Sequence, residues 1–298
     1  TIAATGASAS IIGINACSPQ NDKVSIYDGD LFELAEIDSS SEFQQKYFPQ
    51  SVMSGDPKET SVVVWTRLVI THDENESPGK PKTSLAKALP KILPVVLQLS
   101  LTADFSDIAL RFDARIEDEQ DGCIKIRVQG LQPDTHYYYR FLYPTNERAF
   151  ASRVGRTKTA PTAKTEKNLK FAQVCCQDYV GCYYNSYLKL LEEDDLDFVL
   201  FLGDYIYETT RDPRFQTSDG RKIKFSDEQG AIQLGSKEAP FYAARSLDNY
   251  RQLYRDYRSD PVLQRLHEKF PIIAIWDDHE FADDSFGINA THTGGRKD

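Results

Sequence analysis

The pattern of apolar residues changes once along the chain, across a Lys- and Thr-rich segment at residues 152–167 that we predict to be a linker. Before this segment, short β-branched and aromatic runs are separated by turn residues, as in an antiparallel β-sandwich. After it, buried-strand patterns alternate with amphipathic helix patterns, which predicts a parallel sheet with helical crossovers. The chain therefore combines two fold classes, and its length of 298 residues also favours two domains.

The first predicted domain covers residues 46–157 and is an all-β sandwich of immunoglobulin or fibronectin type. Its strand patterns lie at 61–68, 95–101, 124–128 and 137–143. The second predicted domain covers residues 168–298, with strand patterns at 169–175, 197–202 and 272–276. The long polar stretch at 209–246 is predicted either to border the functional site or to be a mobile insertion.

Residues 1–23 carry the pattern of an export signal followed by a tether. The first 16 residues are small, apolar and uncharged, and are too short for a membrane-spanning helix, which needs about 20 apolar residues. The sequence Ile-Asn-Ala-Cys at 14–17 resembles a lipoprotein cleavage box, in which Cys17 becomes the lipidated first residue. An ordinary signal peptide with an incidental cysteine is the alternative. Both patterns predict an exported bacterial protein, periplasmic or anchored to the membrane through Cys17.

Two predicted strands of the second domain end in acidic residues. The apolar run at 272–275 leads into Trp-Asp-Asp-His-Glu at 276–280, and the run at 197–202 leads into Gly-Asp-Tyr-Ile-Tyr-Glu at 203–208. Ligand sites of parallel α/β sheets lie beyond the carboxyl ends of the strands, which is where Cys176, Asp204 and Asp278 fall. Carboxylates packed this closely repel one another unless a cation lies among them. The sequence therefore predicts a metal-dependent hydrolase.

The formal net charge of −10 limits the partners of the chain. Nonspecific nucleic-acid binding requires a basic surface, so we do not expect nucleic acid as a partner. An anionic substrate could approach this acidic protein only where cations are bound. We expect a soluble, globular and monomeric protein.

Short motifs follow one another along residues 48–284. They lie at 48–57 (FPQSVMSGDP), 64–68 (VWTRL), 176–179 (CQDY), 203–208 (GDYIYE), 260–261 (DP) and 276–280 (WDDHE). In this order and spacing they resemble the PhoD family, also called alkaline phosphatase D. The resemblance implies an N-terminal β-sandwich and a catalytic domain similar to calcineurin-like metallophosphoesterases, which has four α/β/β/α layers.

The resemblance also implies a dinuclear site with ferric iron, Fe(3+), and calcium, Ca(2+). Asp204 matches the carboxylate that bridges the two ions, while Cys176 and Tyr207 match ligands of the iron. Asp278 matches a ligand of the second ion. His279 matches a histidine that contacts the phosphate or protonates the leaving oxygen. The implied reaction is hydrolysis of phosphate mono- or diesters by attack of a metal-bound hydroxide.

Each of these residues has a structural alternative. Asp204 would suit the turn after a buried strand, Cys176 could be a buried structural thiol, and Tyr207 could pack in a core. His279 could cap a helix or orient a ligand. The residue types alone therefore leave the roles of these side chains open.

The residues beside the motifs are expected to support the site rather than to form it. Asp277 and Glu280 would orient ligands or pair with arginines. Asp283 and Asp284 are ambiguous, and Cys175 is expected to be structural. Among the histidines outside the motifs, the one at position 267 lies on the apolar face of a predicted helix and is expected in the core.

Sites of the calcineurin-like superfamily also use histidines from later strands, in Gly-x-His and Gly-His-x-His motifs. Only His292 follows His279 in this chain. We therefore expect the 298 residues to be an inactive fragment that lacks about half of the catalytic domain. A non-catalytic secreted binding module with a decayed or truncated phosphatase domain is the alternative. A nuclease or phospholipase with the same chemistry is a further one.

Overall fold

A computed structural model of the chain describes residues 24–27, 32, 34, 36–70, 92–117, 121–181, 183–286 and 291–293. The predicted signal and tether at 1–23, including Cys17, lie outside the described residues. None of the helices in the described ranges combines the length and the apolar character that crossing a membrane requires.

The described part of the chain contains mostly β-strands, with a few short helices. The strands are β1 (Val24–Tyr27), β2 (Ile37–Asp38), β3 (Val52–Gly55), β4 (Ser61–Arg67), β5 (Ile92–Ser100), β6 (Ile108–Glu117), β7 (Cys123–Gln129), β8 (His136–Pro144), β9 (Ala149–Ala151), β10 (Gly155–Lys158), β11 (Phe171–Val174), β12 (Phe198–Leu202), β13 (Thr209–Thr210), β14 (Ile232–Gly235), β15 (Pro240–Ala243) and β16 (Ile272–Ile275). The helices are α1 (Ser41–Tyr47), α2 (Asn185–Leu190), α3 (Leu247–Tyr257) and α4 (Pro261–Lys269), and a 3₁₀ turn covers Thr291–Thr293.

These strands form three sheets. The first has the order β1-β6-β5-β8-β9-β2, with β10 paired to β8. The second has the order β11-β12-β16-β3-β4-β7, and the third is the small sheet β13-β15-β14. In the second sheet β11, β12, β16 and β3 are parallel to one another, while β4 and β7 are antiparallel to their neighbours.

A β-sandwich forms where the first sheet packs on β3, β4 and β7. Side chains from the two sheets interdigitate in one core, which includes Val64 and Ile126 from one side and Leu97 and Phe141 from the other. Alternate residues of β7 and β8 are buried, as expected for strands with one solvated face. The β-rich character predicted for the N-terminal half is confirmed.

The second sheet continues from the sandwich into the parallel strands. Ile272 of β16 pairs with Gly55 of β3, and the Asp56 amide donates to the Ile272 carbonyl at 3.3 Å. A Cβ atom on Gly55 would lie 2.7 Å from that carbonyl oxygen, so only glycine permits this approach. The segment predicted as a linker at 152–167 contains β10, which pairs with β8, and so this part belongs to the sandwich. The domain bounds at 46–157 and 168–298 stay predictions.

Helices α2 and α4 cover one face of the parallel strands. Their apolar residues pack on Val199, Phe201 and Ile272 in a second core. Helix α4 begins where the sequence predicts, because Oδ1 of Asp260 accepts the amides of Val262 and Leu263 at 2.8 Å each and proline occupies the first turn.

The opposite face of the parallel strands is open in the described part of the chain. Phe171 and Phe198 stack on it with ring centroids 5.0 Å apart, and Phe171 is 49% exposed. Ile275 on the same face is 56% exposed. An apolar sheet face of this kind normally packs against another layer.

The polar stretch at 209–246 contains β-strands that the sequence does not predict. It contains the third sheet, and its Ile223 and Phe225 join Leu253 and Tyr257 of α3 in a separate core. The stretch therefore forms a subdomain beside the carboxyl ends of the parallel strands rather than a mobile insertion.

Candidate metal centre

Sharp backbone turns follow β11 and β12 and bring their loops together. Cys176 and Asp204 both have a φ of 53°, a left-handed conformation that non-glycine residues adopt rarely. The amide of Cys176 donates to the carbonyl of Gly203 at 3.3 Å, and the amide of Gln177 donates to the carbonyl of Asp204 at 3.0 Å. The two loops are thereby fixed to each other at the edge of the sheet.

Gly203 allows a third loop, the one that follows β16, to approach these two loops closely. Its φ is +84°, and a Cβ atom there would lie 2.4 Å from the Cβ of Asp277 and 2.7 Å from its amide nitrogen. Any other residue would push the loop after β16 away from the loop after β12. Glycine therefore sets the close approach that brings the acidic motif at 276–280 towards Asp204.

The carboxylate of Asp204 is the centre of the cluster. Its Oδ2 atom accepts hydrogen bonds from Sγ of Cys176 at 3.3 Å and from the hydroxyl of Tyr207 at 3.5 Å. Its Oδ1 atom is buried and has no hydrogen-bond partner among the described residues. A buried carboxylate oxygen without a partner is energetically costly, and a bound cation or a hydrogen-bond donor would offset that cost.

Asp278 and His279 complete the group around Asp204. One ligand atom from each of these three residues lies within 4.8 Å of the others, as metal binding would require. A second acidic group adjoins it, because the carboxylates of Asp278, Asp283 and Asp284 also lie within 4.8 Å of one another. Asp278 is thus common to both groups.

Glu280 holds the loops of the site in register. Its carboxylate accepts the backbone amides of Asp204 at 3.2 Å, Tyr205 at 2.5 Å and Asp277 at 2.7 Å. The side chain is buried, so it lies behind the loops and not on the open side of the cluster. The expectation that Glu280 supports other residues agrees with these contacts.

Glu208 is a completely buried carboxylate that organises the histidines. It accepts hydrogen bonds from Nδ1 of His279 at 2.8 Å and from Nε2 of His292 at 2.6 Å, together with the amide of Asp283 at 2.8 Å. The other nitrogen of His279, Nε2, lies 3.8 Å from Oδ1 of Asp283. The His279 ring also packs on Tyr207, with centroids 4.2 Å apart.

The pKa values of these groups follow from burial and from the shared carboxylates. The Cys176 side chain is exposed, yet partial desolvation of its thiol raises the pKa to about 12, and the hydrogen bond to Asp204 acts in the same direction. Burial and the charge of Asp204 also raise the pKa of Tyr207. Both groups hold their protons unless a cation compensates, so metal binding here must release protons.

The Glu208–His279 pair shows the opposite balance. Burial alone would raise the pKa of Glu208, but hydrogen bonds from His279 and His292 lower it to about 2. Burial alone would lower the pKa of His279, but the hydrogen bond to Glu208 and its charge raise it to about 9. Glu208 is therefore ionised and accepts from both rings.

The donor set fits two different cations. A thiol and a phenol beside one carboxylate oxygen suit a transition metal, whereas a group of carboxylates suits a hard cation such as calcium. The unpartnered Oδ1 atom of Asp204 provides the coordination position that either ion would use. Cys176, Asp204, Tyr207 and Asp278 are the residues that could hold these ions.

The structure brings the predicted site residues together from three loops that are far apart in sequence. His279 and Asp278 join Cys176, Asp204 and Tyr207 at one edge of the sheet. Their roles as ligands or catalysts stay predictions.

The residues beside the site were predicted less completely. Cys175 and Cys176 are both exposed, so neither thiol lies in a core, and the structural role expected for Cys175 stays a prediction. The sequence predicted no role for Glu208 or for His292. Glu208 closes the 203–208 motif, and its position after an apolar strand was the signal that could have identified it.

Comparisons with known proteins match both halves of the chain to one family. The family model described as "PhoD-like phosphatase, N-terminal domain" matches residues 34–161, and the model "PhoD-like phosphatase" matches residues 171–297. The chain is 31% identical over 246 residues to alkaline phosphatase D of Bacillus subtilis (strain 168), a match that covers 82% of this chain and 37% of that protein.

A solved structure is similar as well. The chain matches "Structure of PhoD" with a TM-score of 0.59 and 30% sequence identity, over 78% of this chain and 39% of that chain. The chain therefore spans less than two fifths of the length of these relatives.

Proposed function

The chain belongs to the PhoD-like phosphatase family, and we propose that it forms part of a metal-dependent hydrolase of phosphate mono- or diesters. The observation that carries metal dependence is the carboxylate of Asp204. Its Oδ2 atom accepts hydrogen bonds from Cys176 and Tyr207, while its buried Oδ1 atom has no hydrogen-bond partner among the described residues. A cation at Oδ1 would remove this cost, and it would offset the repulsion with Asp278.

The proposed ions are ferric iron and calcium. Asp204, Cys176 and Tyr207 would hold the iron, because thiolate and phenolate ligands suit a strongly Lewis-acidic transition metal. Asp204 and Asp278 would hold the calcium, which prefers carboxylate oxygens. When bound, such ions neutralise charge on phosphoryl oxygens and lower the pKa of water, the chemistry that phosphoester hydrolysis needs.

Residues of the chain itself would position the proton for the leaving group. Glu208 accepts from Nδ1 of His279 and so leaves Nε2 as the nitrogen available to a substrate. A histidine held in this way can donate a proton to the leaving oxygen as the ester bond breaks.

Hydrolysis of two model esters, with metal analysis in parallel, tests the proposed function. The protein that contains this chain at its full natural length is loaded with iron and calcium and assayed with p-nitrophenyl phosphate and with bis(p-nitrophenyl) phosphate, each with and without added calcium. We expect hydrolysis of at least one ester and stoichiometric iron. Asp204→Asn should lose both activity and iron, because the amide cannot supply an anionic oxygen to either ion.

Asp195→Asn is the matched control for Asp204→Asn. Asp195 is an exposed carboxylate paired with Lys170 just before β12, at the opposite end of the same strand from Asp204. Its substitution should leave the activity and the iron content at the level of the parent. Absence of hydrolysis of either ester by metal-loaded protein would instead favour the non-catalytic binding module.

The remaining features are proposals of the same kind. We propose that the domain of residues 168–298 belongs to a four-layer α/β/β/α architecture, which the open apolar face beside Phe171 supports. The protein would be exported, to the periplasm or to a membrane through lipidation of Cys17. It would act as a monomer on small phosphate esters or phosphodiester polymers, without specific binding of nucleic acid.

A further inference from the structure

A cavity of about 630 Å³ lies between the sandwich and helix α3, apart from the metal centre. Trp65 and Arg67 of β4 form one wall, and Tyr254, Arg255 and Arg258 at the end of α3 form the other. No residue of this wall belongs to the groups that could hold a metal ion in the described ranges. Cavities of this size between two structural units are typical binding sites for small molecules.

Two of the arginines share one carboxylate. Arg67 donates to both oxygens of Asp121 at 3.1 and 3.2 Å, and Arg255 contacts Oδ2 of the same side chain at 2.6 Å. Burial alone would raise the pKa of Asp121, but the two guanidinium groups hold it below its usual value. Asp121 is therefore ionised, and it compensates only one of the two positive charges.

A third arginine is held against aromatic rings. The guanidinium carbon of Arg258 lies 4.4 Å from the ring centre of Trp65 and 5.4 Å from that of Tyr254. Its Nε atom donates to the hydroxyl of Tyr205 at 3.3 Å, an uncharged acceptor. These rings fix the orientation of the guanidinium without neutralising its charge.

The described wall of the cavity thus carries more positive than negative charge in a protein whose formal net charge is −10. The wall is only partly exposed: the side chains of Arg67 and Arg255 retain 15% and 29% of their accessible surface. Partial burial strengthens the attraction of these groups for an anion. A guanidinium group binds phosphate-like oxygens through paired hydrogen bonds, and the adjacent rings offer an apolar surface to the rest of a ligand.

We infer that this cavity is a second ligand site, which binds an organic phosphate or phosphonate that carries an aromatic ring. The anionic group contacts Arg255 and Arg67, and the ring packs beside Trp65 and Tyr254. The site lies against the loop of the metal centre, because the hydroxyl of Tyr250 on the same wall donates to the carbonyl of Phe281. It needs no metal ion, since its charge comes from arginine.

Phenylphosphonate is a suitable probe because its carbon–phosphorus bond resists phosphatases. The titration uses the 298-residue chain, which has two tryptophans. Trp276 lies next to the metal centre, so Trp276→Phe leaves Trp65 as the only tryptophan reporter in this chain. In this background we expect saturable quenching of Trp65 fluorescence by phenylphosphonate. Inorganic phosphate carries only the anionic group and benzyl alcohol carries only the aromatic ring. Each should therefore bind more weakly than phenylphosphonate. Equal affinity for benzyl alcohol would overturn the role of the arginines.

Arg255→Gln should raise the dissociation constant about tenfold or more, because it removes a charge-assisted hydrogen bond to the anion. Arg255→Lys keeps the charge and should have a smaller effect, which separates loss of binding from loss of folding. Arg265→Gln is the matched control, since Arg265 is exposed on α4 and is not in the wall of the cavity. Equal affinity of Arg255→Gln and the parent background would overturn the inference.

A further comparison distinguishes binding in the cavity from binding at the metal centre. Asp204→Asn and added chelator should leave the Trp65 titration unchanged, because the cavity uses neither Asp204 nor a metal ion. Loss of the signal in either case would place the phosphonate at the metal centre and overturn the inference.

Discussion

The carboxylate of Glu280 accepts a hydrogen bond from the backbone amide of Asp204 at 3.2 Å, across 76 residues of sequence. The same side chain also accepts the amides of Tyr205 and Asp277. One buried side chain therefore joins the loop after β12 to the loop after β16. The approach of Asp278 to Asp204 depends on this link.

Replacement of Glu280 by alanine should destabilise the fold by about 2–4 kcal/mol, because it leaves three buried or half-buried amides without their acceptor. The free energy of unfolding in urea measures this effect. Glu192→Ala is the control, since Glu192 is exposed and pairs with Lys189 on the surface. Equal stability of the two variants would show that Glu280 does not hold the loops.

Gly203→Ala should destabilise the chain by about 1–3 kcal/mol more than Gly130→Ala. Both glycines have a positive φ, of 84° and 81°, so the cost of the backbone conformation is matched. A Cβ atom at Gly203 would meet Asp277, whereas nothing lies within 4 Å of a Cβ atom at Gly130. Thermal unfolding of the two variants tests the difference. Indistinguishable losses would mean that the contact with Asp277 is not restrictive.

His279→Ala should lower the turnover number of the metal-loaded full-length protein about 10²–10⁴-fold and change its metal content little. The reason is that Glu208 orients the ring through Nδ1 and leaves Nε2 free for proton transfer, while the proposed metal ligands are other side chains. Steady-state kinetics and elemental analysis on the same sample measure both quantities. His136→Ala, an exposed histidine of the sandwich, should behave as the parent. An unchanged turnover number for His279→Ala would refute the proposed role.

Cys176→Ser should reduce the iron content of the protein strongly, because a hydroxyl is a much poorer ligand than a thiolate for a transition metal. Cys175→Ser is the adjacent control and should retain iron, since the hydrogen bond to Asp204 comes from Cys176. Elemental analysis of the purified variants checks this. Iron at the parent level in Cys176→Ser would show that the thiol is not a ligand.

His267 should make the stability of the chain dependent on pH below neutrality. Burial lowers the pKa of His267 from 6.5 to about 3, so the folded chain keeps this ring neutral while the unfolded chain protonates it. Its contribution is fully present above pH 6.5 and is lost as the pH falls towards 3, by roughly 1.4 kcal/mol per pH unit in that window.

His267→Gln should therefore flatten the decline in unfolding free energy between about pH 6 and pH 4.5. The slopes of parent and variant should differ by the amount that corresponds to the uptake of about one proton on unfolding. Glutamine can still reach the hydroxyl of Tyr205, which lies 3.3 Å from Nε2 of His267. Urea unfolding at several pH values measures the slopes. Parallel curves for parent and variant would contradict the assignment.

Local patterns predicted the elements of the second half of the chain well. The capping residue Asp260 with Pro261 located the start of α4, and the apolar run before residue 276 located β16. Both signals act within a few residues, so a sequence displays them directly. For residues 209–246 the sequence left two alternatives and predicted no sheet. A sheet of three short strands has no local period that the sequence would display.

The supporting residues of the site could not be predicted in the same way. Glu208 and Glu280 act through partners 71 and 76 residues away, respectively. A lone glutamate near a strand end has the same local pattern whether it is solvated or buried. Only the packing of the loops removes water from these side chains and makes their hydrogen bonds obligatory.

The sequence by itself determined the β-rich half, the alternating half and the acidic ends of β12 and β16, because periodicity and strand-end chemistry are local properties. Only the tertiary structure decided that β16 pairs with β3, so that one sheet runs through both halves. It also decided that Asp204, Asp278 and His279 meet around a buried oxygen without a partner. The physical reason is that strand order and loop contacts depend on interactions between distant residues, which no local pattern encodes.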